Sequence, residues 1–389
     1  MKIRRSDILS LFYIISFIPY LVSEYGFFYK IRPYLYLIAL ITVLFDIKKN
    51  ISYYKENISF PVKKIIPLIL LLTVQFISLF YSSNKFISIQ LFAATIFIIS
   101  ILLAYIPLMK HEGLSRFAMN IVYINALIYT VSILLLIFNY RSATVTRFGF
   151  YTFTGLFYDK QIGILSIITI FSIDFAKDHI KSIDNKLKKF LNITYTFSVL
   201  FIVLSFSRSV FLALIIYWGI LITVKKEGKR YLIYYISLLL SIILLFIFQP
   251  LNNIIKYTVT DRQYFLNYAI HIYNDYFIKG NGYGCGKFLT ILPEASKYLR
   301  SDLMGKQFHN AYIEVYFDTG LPGLLLSLWM LFETLRNSMR KKMTRVTAII
   351  ISFIFMNLFS SSLAYPSSLS YFFTYFFIIY GLIKEDNLS

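Results

Sequence analysis

The stretch HNAYIEVYFDTGLPGLLL at 309–326 decides how this chain is read. Two polar residues, His309 and Asn310, stand at the opening of an apolar run that continues to 333, about the 20 residues that a bilayer crossing needs. Just before it lies the longest hydrophilic excursion, 250–309, which contains a glycine-rich turn, GYGCGKF at 282–288. Polar residues this scarce, gathered beside one span, mark where chemistry is expected.

Working outward, 58% of the 389 residues are hydrophobic and only 15% are charged. Soluble domains carry about 25% charged residues. The expectation is therefore an all-α polytopic membrane protein, one integral membrane domain over 1–389. Its 33 Tyr and 39 Phe suit membrane interfaces and helix packing. Apolar runs fall near 7–22, 32–47, 65–82, 86–108, 117–139, 161–176, 190–206, 209–224, 231–249, 310–333, 346–362 and 366–383. They predict about 12 transmembrane helices, with a large outer loop at 250–309 between spans 9 and 10. MKIRR before the first run resembles a signal peptide, but no small-residue cleavage site follows, so it is read as a retained helix.

Charge sets the orientation. With both termini cytoplasmic, inside segments hold roughly two-thirds of the 39 Lys and Arg residues. Examples are Lys48 and Lys49, Lys186 to Lys189, KKEGKR at 225–230, and Arg340 to Lys342. The net charge of +20 is thus a topology signal, and no nucleic acid partner is needed to explain it. The connection 139–160, the SFSRS break at 205–209 and the loop 250–309 then share the outer face. Arg147, Arg208, Arg262 and His309 lie on that side. No internal repeat is evident, which disfavours an inverted-repeat transporter.

Arg208 sits in SFSRSVFLAL at 205–214, between two apolar runs. It either meets lipid phosphate at the interface or offers a planar donor fork to a phosphate or diphosphate. Arg262 opens a segment in which Phe265, Ala269, Ile272 and Tyr276 recur at helical spacing, an amphipathic helix on the outer surface. Its guanidinium faces water or binds an anion there. Among His111, His179, His271 and His309, only His309 stands where the loop re-enters the membrane. It is either structural or a base able to take a proton from a hydroxyl. Glu314 and Asp318 follow one turn apart, functional suspects or partners of nearby Tyr and Asn.

Other chemistries fit poorly. GNGYGCG at 280–286 has no strand–helix unit around it, so a dinucleotide site is excluded, and its glycines serve a tight turn or close approach. The single Cys285 rules out an internal disulfide. No His, Asp and Glu cluster has metal-ligand spacing, and no GxSxG element exists.

RFGFYTFTGLFYDKQIGIL at 147–165, SFSRSVFLAL at 205–214, Arg262 with GNGYGCGKF, and HNAYIEVYFDTGLPGLLL together resemble the O-antigen ligase/polymerase family. These are membrane glycosyltransferases of the bacterial cytoplasmic membrane. One departure is Tyr158 to Gln161, where the family often has an Asn-Pro-Asn-like element. The resemblance implies that Arg208 and Arg262, with Arg147 and Asn310, bind an undecaprenyl-diphosphate-linked oligosaccharide. It implies that His309 activates the acceptor hydroxyl, without cofactor or metal, and that membrane lipid and a chain-length regulator are partners. A polysaccharide polymerase is the leading expectation and a ligase acting on lipid A core is the alternative. A flippase and a sensor without turnover are further readings.

Overall fold

An apolar chain broken by short polar connections has one main solution in lipid: helices that satisfy their own backbone. The computed structural model describes residues 4–17, 62–147, 150–157, 161–180, 182–205, 207–224, 251–360, 363–366 and 370–383, with isolated positions at 41–49, 232, 236 and 368. Its principal helices are α1 (Arg5–Phe17), α2 (Val62–Ser78), α3 (Lys85–Tyr105), α4 (His111–Phe138), α5 (Gln161–His179), α6 (Asn185–Leu204), α7 (Arg208–Val224), α8 (Leu251–Ile272), α9 (Ala311–Arg340), α10 (Thr344–Asn357) and α11 (Tyr371–Ile383).

Among the described residues five helices are long and apolar enough to cross a membrane: 63–81, α3, α4, α6 and α9. Three shorter apolar helices, α7, α10 and α11, add to them. The chain is thus a helical multi-pass membrane protein. The expected spans at 32–47 and 231–249 lie largely outside the described residues. The wholly helical expectation needs one amendment. Thr144–Arg147 (β1) and Phe150–Phe153 (β2) pair antiparallel, with Thr144 opposite Phe153 and Arg147 opposite Phe150. The segment TVTRFGFYTF is β-branched and aromatic, which favours strands over helix.

The chain divides into two compact units. The first comprises 1–60, 99–215 and 375–380. Its α5 is apolar on nearly every face and correspondingly buried throughout. Polar side chains knit its neighbours together, as hydrogen bonds do between helices in lipid. Tyr13 OH donates to Asn125 Oδ1 at 2.9 Å, and Asn125 Nδ2 donates to Thr169 Oγ1 at 2.8 Å. Tyr129 OH lies 3.1 Å from Ser166 Oγ and 3.0 Å from Ser198 Oγ. These contacts join α1, α4, α5 and α6. The hairpin docks on α6 through stacked Phe153 and Phe201 rings, 5.0 Å apart.

The second unit comprises 61–98, 216–374 and 381–389. Here α9 packs along α2 and α10. The Phe265, Tyr268, Ala269 and Ile272 stripe of α8 faces its own loop and packs on Leu289, Ala295, Leu299, Leu303 and Phe308. The segment between α8 and α9 is therefore a folded element with its own core, built from short 3₁₀ turns.

Candidate active site

The site is built where this folded loop enters α9. Asn310 is the N-cap of α9, its Oδ1 accepting from the Tyr312 and Ile313 amides at 3.0 and 3.2 Å. Such a cap is worth about 1 kcal/mol. His309 precedes it with φ of +55°, a left-handed conformation that a side-chain-bearing residue holds only when its surroundings require it. The cause is visible. The His309 amide donates to Glu314 Oε1 at 3.1 Å, and the Ala311 amide donates to the Ser360 carbonyl at 2.9 Å. Glu314 is fully buried, whereas the His309 ring is exposed. A buried carboxylate thus fixes the backbone that presents an accessible imidazole.

Arg262 lies one turn before Phe265 on α8, and the Phe265 ring meets His309 edge-on at 6.3 Å. The Arg262 guanidinium stacks over the Phe359 ring at 4.6 Å, next to the Ser360 that holds Ala311. Stacking takes one face of the guanidinium and leaves its in-plane donors available to an anion. Partial burial lowers its proton affinity, yet an arginine keeps its charge. Arg262, His309 and Asn310 therefore come together, linked through Phe265 and the 359–360 turn.

Arg208 and Arg147 belong to the first unit. Arg208 is the first residue of α7 and half-buried. The break before it sits tightly on α5. A Cβ at Gly163 would lie 2.5 Å from Ser205 Oγ and 3.1 Å from Ser207 Cβ. The Ser207 carbonyl accepts from the Val210 and Phe211 amides and so starts α7. Arg147 ends β1, and its side chain lies outside the described residues.

The glycine-rich turn serves as an internal brace. Pro322 has no N–H, so the Asp318 carbonyl loses its helical donor, and the Leu321 amide is diverted to the Phe277 carbonyl at 2.8 Å. The turn supplies the missing donors: the Gly282 amide bonds Asp318 O at 3.0 Å and the Asn281 amide bonds Phe317 O. The Gly286 amide donates to the Asp318 carboxylate at 2.7 Å. Below the turn, Tyr283 N–H donates to Ser78 Oγ at 3.0 Å, and Ser88 Oγ donates to Tyr283 O at 2.6 Å. With its amides engaged and Cys285 buried, the turn has the protein itself as its close neighbour.

Gly320 makes the kink possible. Its φ of 73° and ψ of −173° fall in a region that essentially only glycine occupies, and a Cβ there would meet the Ile278 carbonyl oxygen at 2.4 Å. Gly320→Ala is expected to cost about 3 kcal/mol or more. A thermal melt of the purified protein in detergent, several degrees below wild type, checks it; an unchanged melt would refute the brace.

Sequence reasoning placed the polar residues of α9 but missed three partners. Glu314 caps the His309 backbone, Phe359 underlies Arg262, and Asp318 anchors the glycine turn through main-chain amides. The one-turn spacing of Glu314 and Asp318 marked both as suspects, yet nothing local showed that their partners are backbone donors. Phe359 carried no signal, being one aromatic among many. Among the described residues no group of three His, Cys, Asp or Glu is placed to hold a metal ion.

Residues 193–328 match the family described as O-antigen ligase. The matched segment contains Arg208, Arg262, the glycine turn, His309, Asn310 and the kink, and it leaves Arg147 outside. No curated protein matches the chain. The resemblance read from the motifs is thereby borne out.

Proposed function

Taking as premise that the chain carries an O-antigen ligase domain over 193–328, we propose that it is a polymerase of polyprenyl-diphosphate-linked oligosaccharides, acting on the outer face of the bacterial cytoplasmic membrane. The reading rests above all on one observation: an exposed imidazole, with its backbone fixed by a buried carboxylate, beside a ring-stacked arginine. His309 takes the proton from an acceptor sugar hydroxyl as that oxygen forms its bond to the anomeric carbon of the donor sugar. The bond from that carbon to the diphosphate oxygen breaks, and undecaprenyl diphosphate departs as an anion. Direct displacement of this kind inverts the anomeric configuration.

Arg262 and Arg208 neutralise the departing diphosphate, an electrostatic contribution that usually dominates such steps. Arg208 at the start of α7 is opposed by the helix dipole. Asn310 caps α9 and so positions the site through the backbone. The donor is lipid-linked, so no nucleotide is required on a face that has none. A chain-length regulator is a further candidate partner.

A ligase passing finished glycan to lipid A core uses the same groups. A strain lacking the protein, complemented with wild type or His309→Ala, separates the two by its glycan ladder. Collapse to a single repeat unit on the final carrier is the expected result. Long polymer retained on the polyprenyl lipid would instead mean a ligase, and an unchanged ladder would overturn both.

A further inference from the structure

We propose that a groove between α8 and α9 holds the polyprenyl chain of the donor, with its diphosphate at Arg262; this deepens the polymerase reading and rests on it. The groove has a volume of about 520 Å³ and is lined by Leu266 and Ile270 of α8, by Tyr273 in the 3₁₀ turn that follows it, and by Tyr312, Tyr316 and Leu324 of α9. That volume lies within the range of about 300–1,000 Å³ typical of small-molecule sites.

Its order along the fold matches an amphiphile with an anionic head. Counting from Arg262, positions 266 and 270 return to the same face of α8, so cation and apolar lining form one stripe that Tyr273 extends just past the helix end. Leu266, Ile270 and Tyr273 are 49%, 58% and 45% exposed, a large apolar surface along α8 and the turn after it, while the other stripe of the helix is buried in the loop core. On the opposite wall Tyr312 follows directly on His309 and Asn310, and Leu324 lies beyond the Gly320 kink in the apolar part of α9. The groove therefore begins beside the base and the cation and runs toward the hydrocarbon. The Tyr316 hydroxyl bonds the Tyr273 carbonyl and ties the two walls together. No charged side chain lines it. Flat, methyl-branched isoprene units pack well on the faces of Tyr273, Tyr312 and Tyr316.

The test uses the full chain in lipid nanodiscs with two probes, an undecaprenyl diphosphate and a phosphatidylglycerol, each bearing a benzophenone on its hydrocarbon. The expected result is labelling of the 266–273 and 312–324 peptides by the polyprenyl probe, competed by unlabelled undecaprenyl diphosphate and not by phosphatidylglycerol. Equal labelling by both probes would reduce the groove to ordinary lipid-facing surface and overturn the proposal. Alongside, Leu266→Trp and Ile270→Trp fill the groove at exposed positions that tolerate bulk. With donors bearing an undecaprenyl or a short geranyl chain, the wild-type preference for the long chain should fall about tenfold or more in each variant. An unchanged preference, with wild type turning over both donors, would overturn the groove and leave the glycosyltransferase standing. Failure of wild type to label with or use any prenyl diphosphate would overturn both.

Discussion

His309→Ala is expected to remove glycan transfer while leaving the protein in the membrane and folded, at the cost of a small loss of stability from the left-handed backbone at 309. A positioned general base contributes about 10²–10⁴ in rate, and a loss in that range is expected. His309 bonds through its backbone to Glu314 and keeps its ring exposed, so removing the ring leaves the main-chain bond in place. His309→Asn is the sharper control, because asparagine tolerates the left-handed backbone that alanine resists. His309→Asn should show a normal melting temperature, and both variants should make no polymer. An active His309→Asn enzyme would end the assignment of a base. Glu314→Gln keeps an oxygen that can accept the His309 amide and should retain most of the activity, whereas Glu314→Ala frees the backbone and should lose it. Polymer assays in membranes, with protein quantified by immunoblot, give both readouts.

The second large effect is expected at the arginines. Arg262→Ala should lower turnover about 10²–10³-fold, the usual consequence of deleting one donor to a developing anion. Arg262→Lys should recover only part of this, because an ammonium neither stacks on Phe359 as a planar group nor offers two parallel donors. Arg208→Ala should behave alike, and the two losses should combine to less than their product if both guanidiniums serve one diphosphate. Single-turnover rates on a lipid-linked donor measure this. Wild-type rates from either alanine variant would remove that arginine from the proposed clamp, and fully multiplicative losses would place the two on separate groups.

Much of the fold was legible because membrane helices answer to local rules. Runs of about 20 apolar residues must be helical in lipid, and the runs at 65–82, 86–108, 117–139, 190–206 and 310–333 correspond to long apolar helices. The hairpin at 144–153 was missed because it lies in a short connection where hydropathy gives no signal. The Phe265, Ala269, Ile272 and Tyr276 periodicity marked a helix with one apolar face. Periodicity has no means of saying what covers that face, and the covering is the loop's own core.

For the site, sequence alone determined the class of protein, the concentration of chemistry around 309 and the candidate groups Arg147, Arg208, Arg262, His309 and Asn310. The class and the concentration of polar groups follow from composition, spacing and the cost of polar groups in lipid, all of which act locally along the chain; the roles of the candidate groups follow from the family resemblance. The tertiary structure decided how the groups are used. It joined Arg262 to His309 through Phe265 and the 359–360 turn, made Asn310 a helix cap, and set Glu314 beneath the His309 backbone. It also turned the glycine-rich segment into the donor set for carbonyls that Pro322 leaves without partners. Hydrogen-bond satisfaction at a kink is settled between segments far apart in sequence, and only the packed chain reveals which amide meets which carbonyl.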